Sequence, residues 1–532
     1  MKKITTLTLL MMMFLINTIS AQSLFWTATN YKGAFPVTDN TPATDWTSGW
    51  SNFDPENTNY PNTSSVVNSD ITTNTTWSGT ILLQNKVYVT GGAILTIQPG
   101  TVIRGDQSTQ GTLIITKGSK IIAQGTQMSP IVFTSNQPVG SRAEGDWGGL
   151  VILGQAVNNQ PGGVANIEGI APTVNTQYGG SDDNDNSGVL KYVRVEFAGI
   201  ALEPNKEING VTFGSVGRGT QVDFVQVSFS GDDSYEWFGG TVDCKHLIAY
   251  RGIDDDFDTD FGYRGRIQFA LAIRDKDMSD AAGDSNSLES DNDATGSSNS
   301  PQTAAIFSNL TLIGPKGNGS ITLPVGEKFE KSFRIRRNSS ISVFNSLVIG
   351  WEKGLSIEGT AVESNYTSGS LVFSKNILSD FAVGTSYVTA ATSFFTPIAA
   401  VNDTVTTASQ INWVNAFVSL GTTPDCRLQS NSTAATGADF TDPKFVGGFT
   451  SLSEVINTID VNIYPNPTSN YIVVNTTSNT NVVLIDALGR NVLTTSVNGQ
   501  ENIDVTNLND GMYILNISQE NNSITKKLII RK

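Results

Sequence analysis

Short runs of β-branched and apolar residues, each closed by Gly, Asn or Asp, recur about every 20–25 residues through most of this chain, a period typical of solenoids. Gly92-Ala93-Ile94-Leu95-Thr96-Ile97-Gln98-Pro99-Gly100 is followed by Gly111-Thr112-Leu113-Ile114-Ile115-Thr116-Lys117-Gly118, then by Pro130-Ile131-Val132-Phe133-Thr134-Ser135 and Trp147-Gly148-Gly149-Leu150-Val151-Ile152-Leu153-Gly154. Looser copies occupy 190–197, 222–229, 241–250, 267–273, 305–313, 340–349 and 370–378. One such unit cannot bury its apolar side alone, but stacking successive units at the strand spacing buries a continuous core. A leucine-rich horseshoe needs a fixed Leu and Asn pattern that is missing, and a propeller needs longer repeats of four strands. The period therefore predicts an all-β chain built as a right-handed parallel β-helix over 76–380.

A solenoid must be closed at both ends, or it exposes apolar surface and unpaired edges. Residues 22–75 read as the front cap, because Phe25, Trp26, Tyr31, Phe35, Trp46, Trp50, Phe53 and Tyr60 lie without period among Pro, Asn and Thr. Aromatics so spaced could also stack on sugar rings. Residues 381–450 are expected to close the other end, with 409–420 as a short covering helix. Charged residues make up 15% of the chain, below the usual quarter. Without 1–21 and 460–532 the net charge is −17, which repels nucleic acid and anionic lipid and suits solubility or cation binding. Cys244 and Cys426 are the only cysteines, and a disulfide and two free thiols stay open.

The two ends speak of delivery. Lys2 and Lys3 precede an apolar run from 7 to 16 and then Ser20-Ala21-Gln22, the pattern of a cleavable signal peptide spanning 1–21. No later run has the length of a membrane helix. After a linker at 451–459, residues 460–532 alternate apolar and polar positions between Asn-Gly, Asp-Gly and Leu-Gly turns, which reads as a small antiparallel β-sandwich. Tyr464-Pro465-Asn466-Pro467, Asp486-Ala487-Leu488-Gly489-Arg490, Leu508-Asn509-Asp510-Gly511-Met512-Tyr513 and the basic end from Lys526 to Lys532 occur in order. This set closely resembles the C-terminal sorting domain of the type IX secretion system of Bacteroidetes. The resemblance implies passage through that machinery, removal of the tail, and a secreted or cell-surface product. The middle of the chain resembles the pectate-lyase-like β-helix superfamily in architecture. It is similar to a class of bacterial surface proteins through Asp233-Ser234-Tyr235-Glu236-Trp237-Phe238-Gly239-Gly240 and Asp258-Thr259-Asp260-Phe261-Gly262-Tyr263-Arg264-Gly265, a class with no settled activity.

Between Asp232 and Asp293 sixteen acids face six bases. Asp232-Asp233, Asp254-Asp255-Asp256 and Asp275 with Asp277 fall near repeat spacing, which would stack their carboxylates about 4.8 Å apart. Such a ladder needs solvent, arginine or a hard cation. Strand alternation sends Phe257 and Phe261 inward and Asp256, Asp258 and Asp260 outward. Calcium takes six to eight oxygens, and its expected ligands are Asp232, Asp233, Asp254, Asp256, Asp258, Asp260, Glu289 and Asp291. A solvated acidic face is the alternative. Glu236, Trp237, Arg251, Tyr263, Arg264 and Arg274 are candidate ligand contacts.

Two functions stay open. One is a non-catalytic surface protein binding glycan, calcium or an outer-membrane partner. The other is a calcium-dependent polysaccharide lyase or a glycoside hydrolase. The superfamily resemblance implies, for a lyase, carboxylate-held calcium and a basic residue, for which Arg251, Arg264, Arg266 and Arg274 are available. Gly231-Asp232-Asp233 and Arg334-Ile335-Arg336 are similar to polygalacturonase motifs, but the glycine-flanked histidine is missing. The lone histidine, His246, sits in an evident strand. Zinc spacing, a serine-nucleophile elbow and a phosphate loop are also missing.

Overall fold

Ten short strands, each from a different coil, stack in parallel to make one face of the larger unit of this chain. They run from Lys86–Val89 and Thr112–Ile115 through Gly149–Leu153, Val211–Gly214, Tyr235–Phe238, Phe257–Asp260, Leu288–Ser290, Lys331–Ile335 and Lys353–Ile357 to Tyr387–Val388. This computed structural model describes residues 25–39, 45–445 and 461–532, apart from 204–205, 282, 284, 318–320, 325, 380, 382–384, 406–407, 420, 465–466, 477–479, 487–489 and 520–521. The expected signal peptide and linker lie outside the described residues, as do parts of the tail motifs. The chain forms two compact units, residues 25–448 and one holding 449–532.

A seventeen-stranded parallel sheet supplies the other faces of the β-helix. Its longest strands, Gly188–Glu196, Gln221–Ser228, Asp243–Tyr250, Arg266–Ile273 and Ile306–Ile313, each bend at a residue with positive φ: Tyr192, Phe224, His246, Phe269 and Asn309. These residues drop out of the ladder pairing, so one strand serves two faces. The bend turns their side chains outward, and successive coils stack them. His246 lies 4.3 Å from Phe224 and 5.2 Å from Phe269 between ring centroids, with Nδ1 2.7 Å from Asp223 Oδ1. The one histidine is thus held in a structural stack.

Inside the solenoid, register builds columns. Val211, Tyr235, Phe257, Leu288, Phe333 and Leu355 occupy one position in six successive coils, and all are buried. Phe213, Trp237 and Tyr263 stack beside them, at 5.7 and 5.5 Å. Cys244 lies in this interior and Cys426 in a separate cluster, both as free thiols.

The aromatic segments at 25–39 and 45–60 run along a flank instead of across the front end. Polar residues on that flank act as hooks. Gln268 accepts a hydrogen bond from the Thr27 amide, Thr311 from Ala34 and Gln226 from Asn52, so the segments cross many coils. Phe35, Trp50 and Phe53 pack there with Phe197, Phe229, Tyr250 and Leu271. The expected helix at 409–420 is not formed by its described part. Ala408–Gln410 is a single 3₁₀ turn, and Trp413–Asn415 pairs antiparallel with Asp425–Leu428 because Ile411 and Trp413 must enter the same flank cluster. Helices instead occupy Thr360–Thr367 and Thr392–Ala400, whose Val362, Phe395 and Ile398 join the interior core.

The second unit is an antiparallel sandwich. One sheet holds Val461–Tyr464, Tyr471–Thr476 and Gln500–Asp504, and the other Thr480–Ile485, Asn491–Val497, Gly511–Gln519 and Asn522–Ile530. Alternate residues such as Ile472, Val474, Val482, Leu484, Leu515 and Leu528 form its core.

Because Trp50 is buried against Tyr192 and Phe224, Trp50→Ala should destabilise the β-helix by about 3–5 kcal/mol. Urea unfolding checks this, and the far-ultraviolet spectrum of the variant should stay that of the parent.

Candidate functional site

Acidic residues gather where the ten-stranded sheet meets the corner preceding it. On the outer side of that sheet, Thr212, Glu236, Asp258, Glu289, Arg334 and Ser356 hold one position in successive coils. Each strand presents alternate residues outward, so the interior Tyr235 and Phe257 fix Glu236 and Asp258 on the outside. At the corner, Asp233 and Asp255 form a second column. The Asp255 amide donates to Asp233 Oδ1 at 2.8 Å, and the Asn286 amide donates to Asp255 Oδ1 at 2.6 Å.

The two columns converge. Carboxylate oxygens of Asp233, Glu236 and Asp258 lie within 4.8 Å of one another, and so do those of Asp232, Asp233 and Asp254. Asn209 donates through Nδ2 to Glu236, while its own Oδ1 is buried with no hydrogen-bond partner. Asp258 Oδ1 is likewise buried and receives no donor. Burial pushes Asp233, Glu236, Asp255 and Asp258 well above the usual carboxylate range, and the neighbouring acids push in the same direction. Such a set of close, partly buried oxygens can hold protons or a hard cation. The donors, carboxylates with a buried amide carbonyl, fit calcium chemically.

Further along the same face the acids meet arginine. Glu289 faces Arg334 at 3.2 Å and also Arg336, and Asp291 faces Arg336 at 2.9 Å and Arg337 at 2.6 Å. Glu289 is nonetheless raised to about 7, since burial outweighs those guanidiniums. Glu289 and Asp291 therefore border the cage as ion-paired residues.

Several expected members lie elsewhere. Asp256 points into the solenoid, because it precedes the strand and the corner rotates it out of the alternation. It pairs at 3.0 Å with Arg274, and both side chains are 0% exposed. Arg274 also donates to the carbonyls of Gly252 at 2.9 Å and Ile253 at 3.2 Å, and to those of Asp254 and Asn286. It is an interior clamp on the acidic corner. Asp260 remains on the outer face, raised to about 8 by burial, and accepts from the Phe261 amide at 2.6 Å. Phe261, at φ +52°, turns outward against Phe238 instead of inward. Trp237 and Tyr263 are fully buried core residues, and the Tyr263 hydroxyl donates to the Val242 carbonyl at 2.7 Å. Arg251 pairs with Asp275, and Arg264 with Asp183 at 3.0 Å.

Asp275 and Asp277 stand at the right sequence interval but not in the cage. Phe257 pairs with Leu288, 31 residues later, so a longer coil makes Asn286 the next corner residue. Asp255 and Asn209 were missed as site residues. The doubling of Asp232-Asp233 as Asp254-Asp255 was the available signal for Asp255, while nothing in the composition marks Asn209.

Residues 67–418 match the family model of the pectate-lyase-like β-helix domain, and residues 462–531 match that of the secretion system C-terminal sorting domain. No curated protein matches the chain. The sorting domain indicates export to the cell surface or secretion and implies handling by the type IX machinery. Among the described residues no helix is long and apolar enough to cross a membrane.

Two neighbouring aspartates should respond oppositely to amidation. Asp256→Asn leaves the interior Arg274 charge uncompensated and should cost about 3–5 kcal/mol. Asp258→Asn removes a carboxylate whose Oδ1 is buried without a donor among acidic neighbours, and should be neutral or stabilising in chelator. Urea unfolding of both variants measures the difference.

Stability should also fall as pH rises. Glu289 and Asp260 are raised to about 7 and 8. A carboxyl whose folded pKa exceeds its unfolded value near 4 favours the fold while protonated, and that contribution is lost as pH climbs through the folded value. Carboxylates held low, such as Asp293 and Asp425, titrate below this window. Thermal melts in chelator should therefore give a higher midpoint at pH 5 than at pH 8.

Proposed function

The chain belongs to the pectate-lyase-like β-helix family, and we propose that, once exported, it serves at the cell surface as a glycan-binding protein whose acidic cleft holds calcium. The observation that carries this reading is Asp258 Oδ1, buried without a donor beside the oxygens of Asp233 and Glu236. A burial of that kind costs several kcal/mol unless the charge is neutralised. A proton can neutralise it, but a divalent cation does so at neutral pH with three or more carboxylates at once. Asp233, Glu236 and Asp258 would hold the ion, Asn209 would add a carbonyl oxygen, and Asp232 and Asp254 would complete the anionic wall. Bound there, calcium would supply a coordination point for sugar oxygens.

Binding is favoured over turnover by the arginines. A lyase requires a base facing the ion, yet Arg251 and Arg264 are engaged by Asp275 and Asp183, and Arg274 is directed into the solenoid. Arg334 and Arg336 are the basic groups nearest along the column, and both are tied to carboxylates.

Calcium that binds only the folded state should raise stability by about 2.7 kcal/mol at a hundredfold excess over its dissociation constant. Thermal melts of the full mature chain in chelator, calcium, magnesium and matched sodium test this. The expected result is a calcium-specific rise that Asp258→Asn abolishes. An equal response to magnesium and sodium would leave only a solvated acidic face.

A further inference from the structure

Beside the cage a cavity of about 420 Å³ opens on the same outer face. The loop at 166–172 forms its rim, and Tyr178, Phe238 and Phe261 form its floor. Phe238 and Phe261 come from successive coils with centroids 5.3 Å apart, and Tyr178 lies 6.2 Å from Phe238. Gly214 makes room for this floor, since a Cβ there would fall 2.7 Å from the Tyr178 ring. Positive φ at Phe261 delivers its half-buried ring to the cavity instead of the core.

Cavity and cage share one face of the sheet. Phe238 follows Glu236 by two residues on one strand, so both side chains leave the sheet on the same side. Glu168 on the rim acts electrostatically on Glu236 and on the Tyr178 hydroxyl, as does Asp260. An aromatic floor with Glu168 on its rim, and with Glu236 and Asp260 acting on it from the adjoining strands, pairs an apolar plate with hydrogen-bond acceptors.

Resting on the glycan-binding reading, we propose that this cavity is the subsite for a neutral pyranose ring, stacked on Phe261 with Phe238 behind it and donating hydroxyl hydrogens to Glu168, Glu236 and Asp260. A pyranose offers a flat C–H face to an aromatic ring and hydroxyl donors around its edge, which matches acceptor-only carboxylates. Charge decides against an acidic sugar. Asp232, Asp233, Glu236, Asp254 and Asp258 cluster beside the cavity and Glu168 lines it, and protonated or ionised none of them offers a positive charge to a uronate. The nearby arginines are bound to Glu289 and Asp291. A uronate would enter against a negative field, whereas a neutral ring would not. The volume lies toward the small end of ligand pockets, about 300–1,000 Å³, which suits one or two rings.

Affinity electrophoresis of the full mature chain, in calcium, through gels containing soluble glucan, mannan, xylan or polygalacturonate tests the subsite. At least one neutral polysaccharide should retard the parent, and polygalacturonate should not. Phe261→Ala should weaken that retardation at least tenfold, and Glu168→Gln on the exposed rim should weaken it too. Both variants should keep the parent's calcium-induced melting shift, which also certifies their folding. Retardation unchanged in both variants would overturn the subsite while leaving glycan binding intact. Preference for polygalacturonate would overturn the neutral class. No retardation of the parent by any of the four would overturn the glycan reading and the subsite together, with the calcium shift reporting separately on the cage.

Discussion

Every feature of the larger unit depends on one constraint, the fixed spacing of stacked coils. Parallel pairing holds equivalent residues of neighbouring coils about 4.8 Å apart, whatever their chemistry. Where they are apolar the result is a column such as Tyr235, Phe257, Leu288 and Phe333, which buries itself without gaps. Where they are aromatic and turned outward, the result is the Phe224–His246–Phe269 stack. Where they are acidic, the spacing forces like charges closer than they would choose. Glu236 above Asp258 above Glu289 is a direct cost of the register that makes the fold.

The fold answers that cost in three ways along one face. At one end of the acidic column, Arg334 continues the position and, with Arg336 and Arg337, neutralises Glu289 and Asp291. Underneath, Arg274 binds the interior Asp256 and the carbonyls of the corner, so Asp254 and Asp255 are presented on a rigid support. In the middle, at Asp233, Glu236 and Asp258, Arg336 acts on Asp258 only from a distance, and burial drives the carboxyls upward. Buried polar groups are ordinarily satisfied. The unsatisfied oxygens of Asp258 and Asn209 lie in this stretch, which is why we propose that a cation relieves the repulsion there.

The solenoid was legible because its signal is periodic and repeated, and the tail because its motifs stand in a fixed order. The acidic cluster was visible as composition, but its geometry was only half readable. Alternation correctly sends Asp258 outward from Phe257, yet it fails one residue earlier, where the corner carries Asp256 inside, and one residue after the strand, where positive φ turns Phe261 outside. Counting intervals also fails where a coil lengthens, which is why Asp275 was expected in a column that Asn286 occupies. Likewise the scattered aromatics at 25–60 announced that they would cover something. Only Gln226, Gln268 and Thr311, remote in sequence and outward on one flank, decide that they cover a side.

The lengthened coil has a consequence for the cleft. Between Phe257 and Leu288 the chain departs from the sheet and returns only after 31 residues, so the acidic corner of Asp233 and Asp255 ends at a neutral Asn286. Had the shorter interval of the preceding coils continued, Asp277 would have stood near the next corner and extended the repulsive column by another charge. The insertion instead exchanges a carboxylate for an amide that donates to Glu289 at 3.1 Å. The acidic corner is thereby limited to the coils that also carry Phe238 and Phe261. Charge and aromatic surface coincide over the same short length of solenoid, which is what would let the proposed sugar touch both.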